Sequence, residues 1–154
     1  MDGPGVRFVI FAQGCMHNCK GCHNPQTFAL DGGYLITLDE IFKSISKNSL
    51  ITGVTFSGGE PFLQAMNFSK LAKMVHSINL SVMAYTGYIF ENLLTNGKNS
   101  NECVVDLLNN IDILVDGPFK IKEKSLLLKF KGSKNQRIID VKKSLKEGKT
   151  VVIG

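Results

Sequence analysis

Cysteine is scarce in this chain: four occur in 154 residues, and three of them fall within eight positions. That count and clustering exclude a secreted disulfide framework, and in a reducing compartment they read as a metal site. No apolar run approaches the ~20 residues of a membrane span, and no basic-then-apolar signal opens the chain, so a cytosolic protein without a membrane partner is expected. Internal repeats, low-complexity stretches and domain linkers are also missing, which leaves one domain over residues 1–154. With 44% hydrophobic and 20% charged residues, the composition excludes disorder. No obvious catalytic histidine or acid pair stands out, so general acid–base chemistry has little to work with.

Acidic residues become rare toward the C-terminus. From Pro118 onward there are eleven Lys/Arg against three Asp/Glu, whereas residues 1–117 carry seven against ten. A basic segment over 118–154 suits an acidic partner or an anionic ligand, or is a solvated surface. No aromatic interleaving or nucleic-acid motif accompanies the lysines, so no nucleic-acid partner is expected.

What is present is an alternation of strands and helices. Val6–Gln13 is β-branched and aromatic and predicts a buried strand; Gly53–Gly59, Leu80–Gly87 and Ile111–Gly117 predict three more. Between them, Thr37 and Glu40 have the spacing of a capping box that starts a helix over 38–47. Leu71, Met74, Val75 and Ile78 form one face of a helix over 68–79. Short helices are expected from Tyr88 and over 102–108, and a final amphipathic helix and strand within 141–154. Such alternation implies right-handed βαβ units and an α/β fold with a mainly parallel sheet and covering helices. Ligands in such sheets collect at the C-terminal strand ends. The cysteine loop, Gly58-Gly59-Glu60, Thr86-Gly87 and Asp116-Gly117 each follow one of the four strands, so they should share one sheet edge.

Cys15, Cys19 and Cys22 form C-x3-C-x2-C, in a loop where Gly14 and Gly21 allow tight turns. Zinc would need a fourth ligand, which His17 or His23 could supply. A 4Fe–4S cubane held by three thiolates would leave one iron open to a small molecule. The spacing favours the cubane and leaves zinc as the competitor. Cys103, isolated on a helix, reads as a small buried apolar residue, and His76 as structural. In "SGGEP" (57–61), Gly58 and Gly59 let backbone lie against a ligand, and Glu60 adds an acceptor suited to an ammonium group.

The cysteine motif ending the first strand and GGEP ending the second together resemble the radical S-adenosylmethionine enzymes. "DGPGVRFVIFAQGC" with the following "GCHNPQTF" resembles the opening shared by activases of glycyl-radical enzymes. "AYTGY" (84–88), "ILVDGPF" (113–119) and "GSKNQRIID" (132–140) look like the activating proteins of anaerobic ribonucleoside-triphosphate reductases, and the match runs over about residues 2–140. Pyruvate formate-lyase activases are similar mainly in the first half.

The resemblance implies a small partial (β/α) barrel of the radical S-adenosylmethionine type. It implies that Cys15, Cys19 and Cys22 hold a 4Fe–4S cluster whose open iron takes S-adenosylmethionine. Gly58, Gly59 and Glu60 would border the methionine amino group, and Gly21, Cys22 and His23 the adenosyl part. Asp116 falls where formate-lyase activases place a metal-binding aspartate, although Pro118 stands where they have lysine. The implied reaction is reductive cleavage to a 5′-deoxyadenosyl radical, which takes hydrogen from a glycine of the reductase large subunit. A flavodoxin or ferredoxin is the implied electron donor, and a homodimer is one assembly the resemblance allows. Lys129, Lys131 and Lys134 are the residues expected to help dock the reductase. The match begins at the DGPG motif, where relatives carry a preceding strand, so Met1 reads as an internal or misassigned start, or the chain as shortened. In that case the first strand would lie at an unpaired sheet edge.

Overall fold

The computed structural model describes residues 2–95 and 102–154, so Met1 lies outside the described residues. Five strands form one sheet in sequential order: β1 (Arg7–Ala12), β2 (Gly53–Gly58), β3 (Ser81–Tyr85), β4 (Ile113–Asp116) and β5 (Arg137–Asp140). The first four pair in parallel, as the strand–helix alternation requires, and β5 runs antiparallel to β4 with Ile139 opposite Leu114. Within the described sheet β1 pairs only with β2 and forms the edge.

The connections are helical: α1 (Leu38–Ser46), α2 (Ala65–Ser77), α3 (Phe90–Thr95) and α4 (Glu102–Asn109), with α5 (Val141–Glu147) after β5. The capping box at α1 is formed: Glu40 N–H donates to Thr37 Oγ1 at 3.1 Å, and Thr37 N–H donates to Glu40 Oε2 at 3.2 Å. Helix α2 begins three residues before its expected start, because a 3-10 turn over Pro61–Gln64 feeds directly into it. The expected terminal strand is reduced to a bridge between Ile139 and Val152, where Ile153 N–H reaches the Ile138 carbonyl at 2.7 Å. No helix among the described residues is long and apolar enough to cross a membrane.

The pleat of the parallel strands divides the sheet into two faces. One face carries Phe8, Ile10, Val54, Phe56, Val82, Ala84 and Leu114, which pack with Ile45, Phe68, Leu71, Val75 and Leu107 from the helices into a single core. Helices α2 and α4 are further joined at their surface, where Ser69 and Lys73 both donate to Asp106. Cys103 is half-buried against this core, and His76 Nε2 lies 2.9 Å from Asp112, so both have the structural settings expected of them.

The opposite face is mixed, with Val9, Met83 and Val115 beside Arg7, Thr55, Ser57, Ser81 and Tyr85. Arg7 crosses it, donating to Thr55 Oγ1 at 2.8 Å, to the Val54 carbonyl at 2.7 Å and to Ser81 Oγ at 3.0 Å. Further along, Tyr85 donates its hydroxyl to the Phe130 carbonyl at 2.7 Å, and burial pushes the phenol well above its ordinary range. The main core helices pack on the first face, and at the C-terminal strand ends of the second face the segment after β4 leaves a cleft where a functional site can form.

Candidate functional site

The cysteine loop leaves the C-terminal end of β1 and closes on itself: Gly14 N–H donates to the Thr27 carbonyl at 2.8 Å and Cys15 N–H to the Phe28 carbonyl at 3.2 Å. Between these contacts the chain carries Cys15, Cys19 and Cys22, all half-buried and none in a disulfide. Cys22 N–H donates to the Cys19 carbonyl, and Asn24 N–H points at the Cys22 sulfur at 3.4 Å. Burial pushes the Cys15 thiol up, and the charges of Glu60, Cys19 and Cys22 add to this against an opposing main-chain hydrogen bond.

The turn after β2 is bonded to this loop. Gly59 N–H donates to the Ala12 carbonyl at 2.7 Å, and Glu60 N–H donates to the Gly14 carbonyl at 2.8 Å. Both glycines are sterically required. Gly58 has φ +85°, and a Cβ there would come within 2.7 Å of the Phe11 Cα; a Cβ on Gly59 would collide with the Gly14 carbonyl. Two of the four strand-end features expected to converge, the cysteine loop and the Gly58–Glu60 turn, are thus joined by main-chain hydrogen bonds.

Glu60 has an occupation the sequence did not reveal. Its side chain is 1% exposed. The carboxylate accepts from Phe62 N–H at 3.1 Å, Gly87 N–H at 2.9 Å and Thr86 Oγ1 at 3.0 Å, and His17 Nε2 lies 2.7 Å away. Four donors use the acceptor positions of a carboxylate, so its oxygens are committed to the chain itself rather than turned toward an ammonium group. Asp116 is similar: fully buried, it accepts from Phe90 N–H at 2.8 Å and from Arg137 at 3.0 and 2.5 Å. Arg137 also donates to both oxygens of Glu91, whose carboxyl its hydrogen bonds hold down at about 2. The ion pair occupies Asp116 in the way expected of a structural carboxylate.

A cleft of about 670 Å³ opens beside the loop and the turn, and Cys22, His23, Gly58, Ser57 and Tyr85 line its floor. Another part of its lining is the segment 124–132, where the sequence singled out Lys129, Lys131 and Gly132 but not a cleft wall: Lys124, Lys129 and Lys131 line it with Phe130, Leu126 and Leu128. The GSKNQR stretch holds that wall in place. Gln136 Oε1 accepts from Gly132 N–H at 2.8 Å and Ser133 N–H at 3.2 Å, while its Nε2 donates to the Gly117 carbonyl at 3.0 Å. Asn135 Nδ2 donates to the Pro118 carbonyl at 2.8 Å. Gly21 abuts Ile121, and the His23 ring packs against Phe119 at 5.1 Å, which brings the segment after β4 onto the cysteine loop.

The donor set fits a cluster better than a single ion. Among the described residues, no group of three or more His, Cys, Asp or Glu is drawn together to hold one metal ion. His17 Nε2 is taken up by Glu60, so using that nitrogen as a fourth zinc ligand would break the bond, while His23 packs on Phe119. Three thiols spread along one half-buried loop suit a larger object ligated at three corners.

A three-cysteine loop sits on a glycine turn at the C-terminal edge of the parallel sheet, and the chain falls in the class of iron–sulfur proteins, because a family model described as a 4Fe-4S single cluster domain matches residues 1–139. An anaerobic ribonucleoside-triphosphate reductase-activating protein of Enterobacteria phage T4 is 32% identical over 148 residues, covering 90% of this chain and 86% of that protein. The protein of the same name from Vibrio cholerae is 34% identical over 147 residues, covering 90% of each. A pyruvate formate-lyase-activating enzyme of Clostridium pasteurianum is 45% identical, but over 69 residues, which are 42% of this chain and 29% of that enzyme. The chain belongs to the family of anaerobic ribonucleoside-triphosphate reductase-activating proteins.

Proposed function

We propose that the chain activates an anaerobic ribonucleoside-triphosphate reductase by radical S-adenosylmethionine chemistry, with Cys15, Cys19 and Cys22 as the protein ligands of a 4Fe–4S cluster. The observation that carries this reading is the bonding of the cysteine loop to the Gly58–Glu60 turn at the floor of a cleft. Held by Cys15, Cys19 and Cys22, the cluster would supply one electron for reductive C–S cleavage of S-adenosylmethionine, chemistry that would serve to place a radical on a glycine of the reductase.

The chain's own residues hold, orient and exclude water. Gly58 and Gly59 let the turn seat directly on the main chain of Phe11–Gly14, where no Cβ fits at either position, and so hold the turn against the cysteine loop beside the ligand. Gly21, Cys22 and His23 present the opposite edge, with His23 steadied by Phe119. Glu60 and Asp116 act through the fold, the first by tying three strand ends together and the second by anchoring Arg137. Tyr85, Phe119 and Phe130 make the cleft apolar at its sides, which keeps water from a reactive radical. Lys129 and Lys131 line the mouth and Lys134 is exposed nearby, a distribution suited to an acidic region of the reductase. Lys20, Lys120 and Lys122, exposed beside the cysteine loop, suit an acidic electron carrier of the flavodoxin or ferredoxin kind. The sequential order of four parallel strands with helices between them supports reading the fold as a small partial (β/α) barrel of the radical S-adenosylmethionine type.

The short span shared with the formate-lyase activase makes that target second to the reductase. The test is anaerobic reconstitution with iron and sulfide, then reduction with S-adenosylmethionine and the reductase. The expected products are 5′-deoxyadenosine and a glycyl doublet in electron paramagnetic resonance, and both should vanish when any one of the three cysteines is replaced by alanine. A cluster ligated by the protein at all four irons, or a colourless protein with stoichiometric zinc, would overturn the reading.

A further inference from the structure

The arc Met16–Asn18 joins the first two cysteines, and Asn18 within it has a left-handed backbone with φ +50°. Among the described residues, a single hydrogen bond ties this arc to the rest of the chain beyond the loop: His17 Nε2 to Glu60 Oε2, at 2.7 Å. Met16 and Asn18 are exposed, so packing does little to hold the arc. The imidazole is held on every side. Its edge meets the Tyr88 ring at a centroid distance of 4.5 Å and an interplanar angle of 73°, and it lies so close to Gly87 that a Cβ there would stand 2.5 Å from the ring.

A carboxylate only accepts hydrogen bonds, so the nitrogen facing Glu60 must carry the proton and the tautomer is defined at Nε2–H. Glu60 in turn is immobile, because Thr86, Gly87 and Phe62 hold its oxygens from β3 and from its own turn. The link thus runs from a rigid, buried carboxylate to the middle of a three-residue gap between two cysteines.

We propose that His17 is a positioning residue that sets the spacing of Cys15 and Cys19 through the hydrogen bond from its Nε2–H to the buried carboxylate of Glu60. This rests on the reading of the three cysteines as cluster ligands. It gives the glutamate of the GGE turn a task apart from contact with a small molecule, and it couples the turn and the cysteine loop mechanically. Hydrogen bonding and geometry at a ligating thiolate tune a cluster's stability and potential, so loss of the link should be read in both.

The test compares wild type with His17→Ala and His17→Gln, the latter keeping an N–H at the distance of Nε2. All three are reconstituted anaerobically. The readouts are the rate of cluster loss to a chelator followed near 400 nm, the midpoint potential by spectroelectrochemistry, and the melting of cluster-free protein as a control on folding. His17→Ala should lose its cluster about tenfold faster or more, the worth of one hydrogen bond to a charged group, and its potential should shift. His17→Gln should restore most of the retention rate and the wild-type potential. Equal loss rates and potentials in wild type and His17→Ala would overturn the proposal, as would a His17→Gln variant no better than alanine. If His17→Ala does not fold, His17→Gln alone decides: wild-type behaviour supports the hydrogen bond, and alanine-like failure refutes it. A wild type that assembles no cluster would instead remove the functional reading itself.

Discussion

Replacing Arg137 with methionine takes away the guanidinium that faces Asp116. Asp116 is fully buried, and of its three hydrogen bonds two come from Arg137, at 3.0 and 2.5 Å, leaving only Phe90 N–H at 2.8 Å. Removing one member of a buried ion pair costs about 3–5 kcal/mol, because the surviving charge is stranded. Arg137 is 29% exposed, so water can reach the vacated space, and the lower end, about 3 kcal/mol, applies. The Glu91 contact adds little, since that carboxylate is 46% exposed. For a chain of this size the loss corresponds to a fall of roughly 6–12 °C in melting temperature. Adding Asp116→Asn removes the stranded charge while keeping an acceptor for Phe90 N–H, and should restore about 2 kcal/mol. Thermal and urea unfolding of the cluster-free protein, followed by circular dichroism, measures both. Arg137→Met within about 1 kcal/mol of wild type, or a double variant no more stable than the single, refutes the reasoning.

Two further outcomes are expected. Reversing Lys129, Lys131 and Lys134 to glutamate should weaken reductase binding about tenfold at low salt, with the difference shrinking as salt rises; unchanged affinity in calorimetric titration ends the docking proposal. Because Lys131 also donates to the Gln136 carbonyl at 3.0 Å, the Lys129/Lys134 pair should be reversed separately to isolate the electrostatic part. Glu91 is held at about 2 by Arg137 and Thr150, below its unfolded value of about 4.3, so its contribution is fully present above about pH 4.5 and fades as the pH falls toward 2. Given its exposure that contribution is about 1 kcal/mol or less. The stability gap between wild type and Glu91→Gln should close over this acid range, and a gap that stays constant in pH-dependent urea unfolding counts against the pairing.

Much of the architecture was readable in the residues. The four parallel strands, the capped helix α1 and the helices α2 and α4 follow from apolar periodicity, which is a local property of the chain. Strand β5 escaped notice because it is only four residues long, lies inside a polar motif, and gains its identity from pairing with β4. The wall 124–132 escaped for a related reason: its lysines and leucines carry no period, and the GSKNQR side chains that pin it reach main-chain groups up to 19 positions away.

By itself the sequence determined the kind of chemistry: thiols at C-x3-C-x2-C, glycines where backbone must approach closely, and a strand before each. Those requirements are met by residue type and short spacing, so they are visible without a fold. Only the tertiary structure decided what the acids do. Glu60 meets His17 across 43 positions and Asp116 meets Arg137 across 21. A carboxylate taken out of water must find donors wherever the fold brings them, and that choice is made by burial rather than by neighbours in the chain.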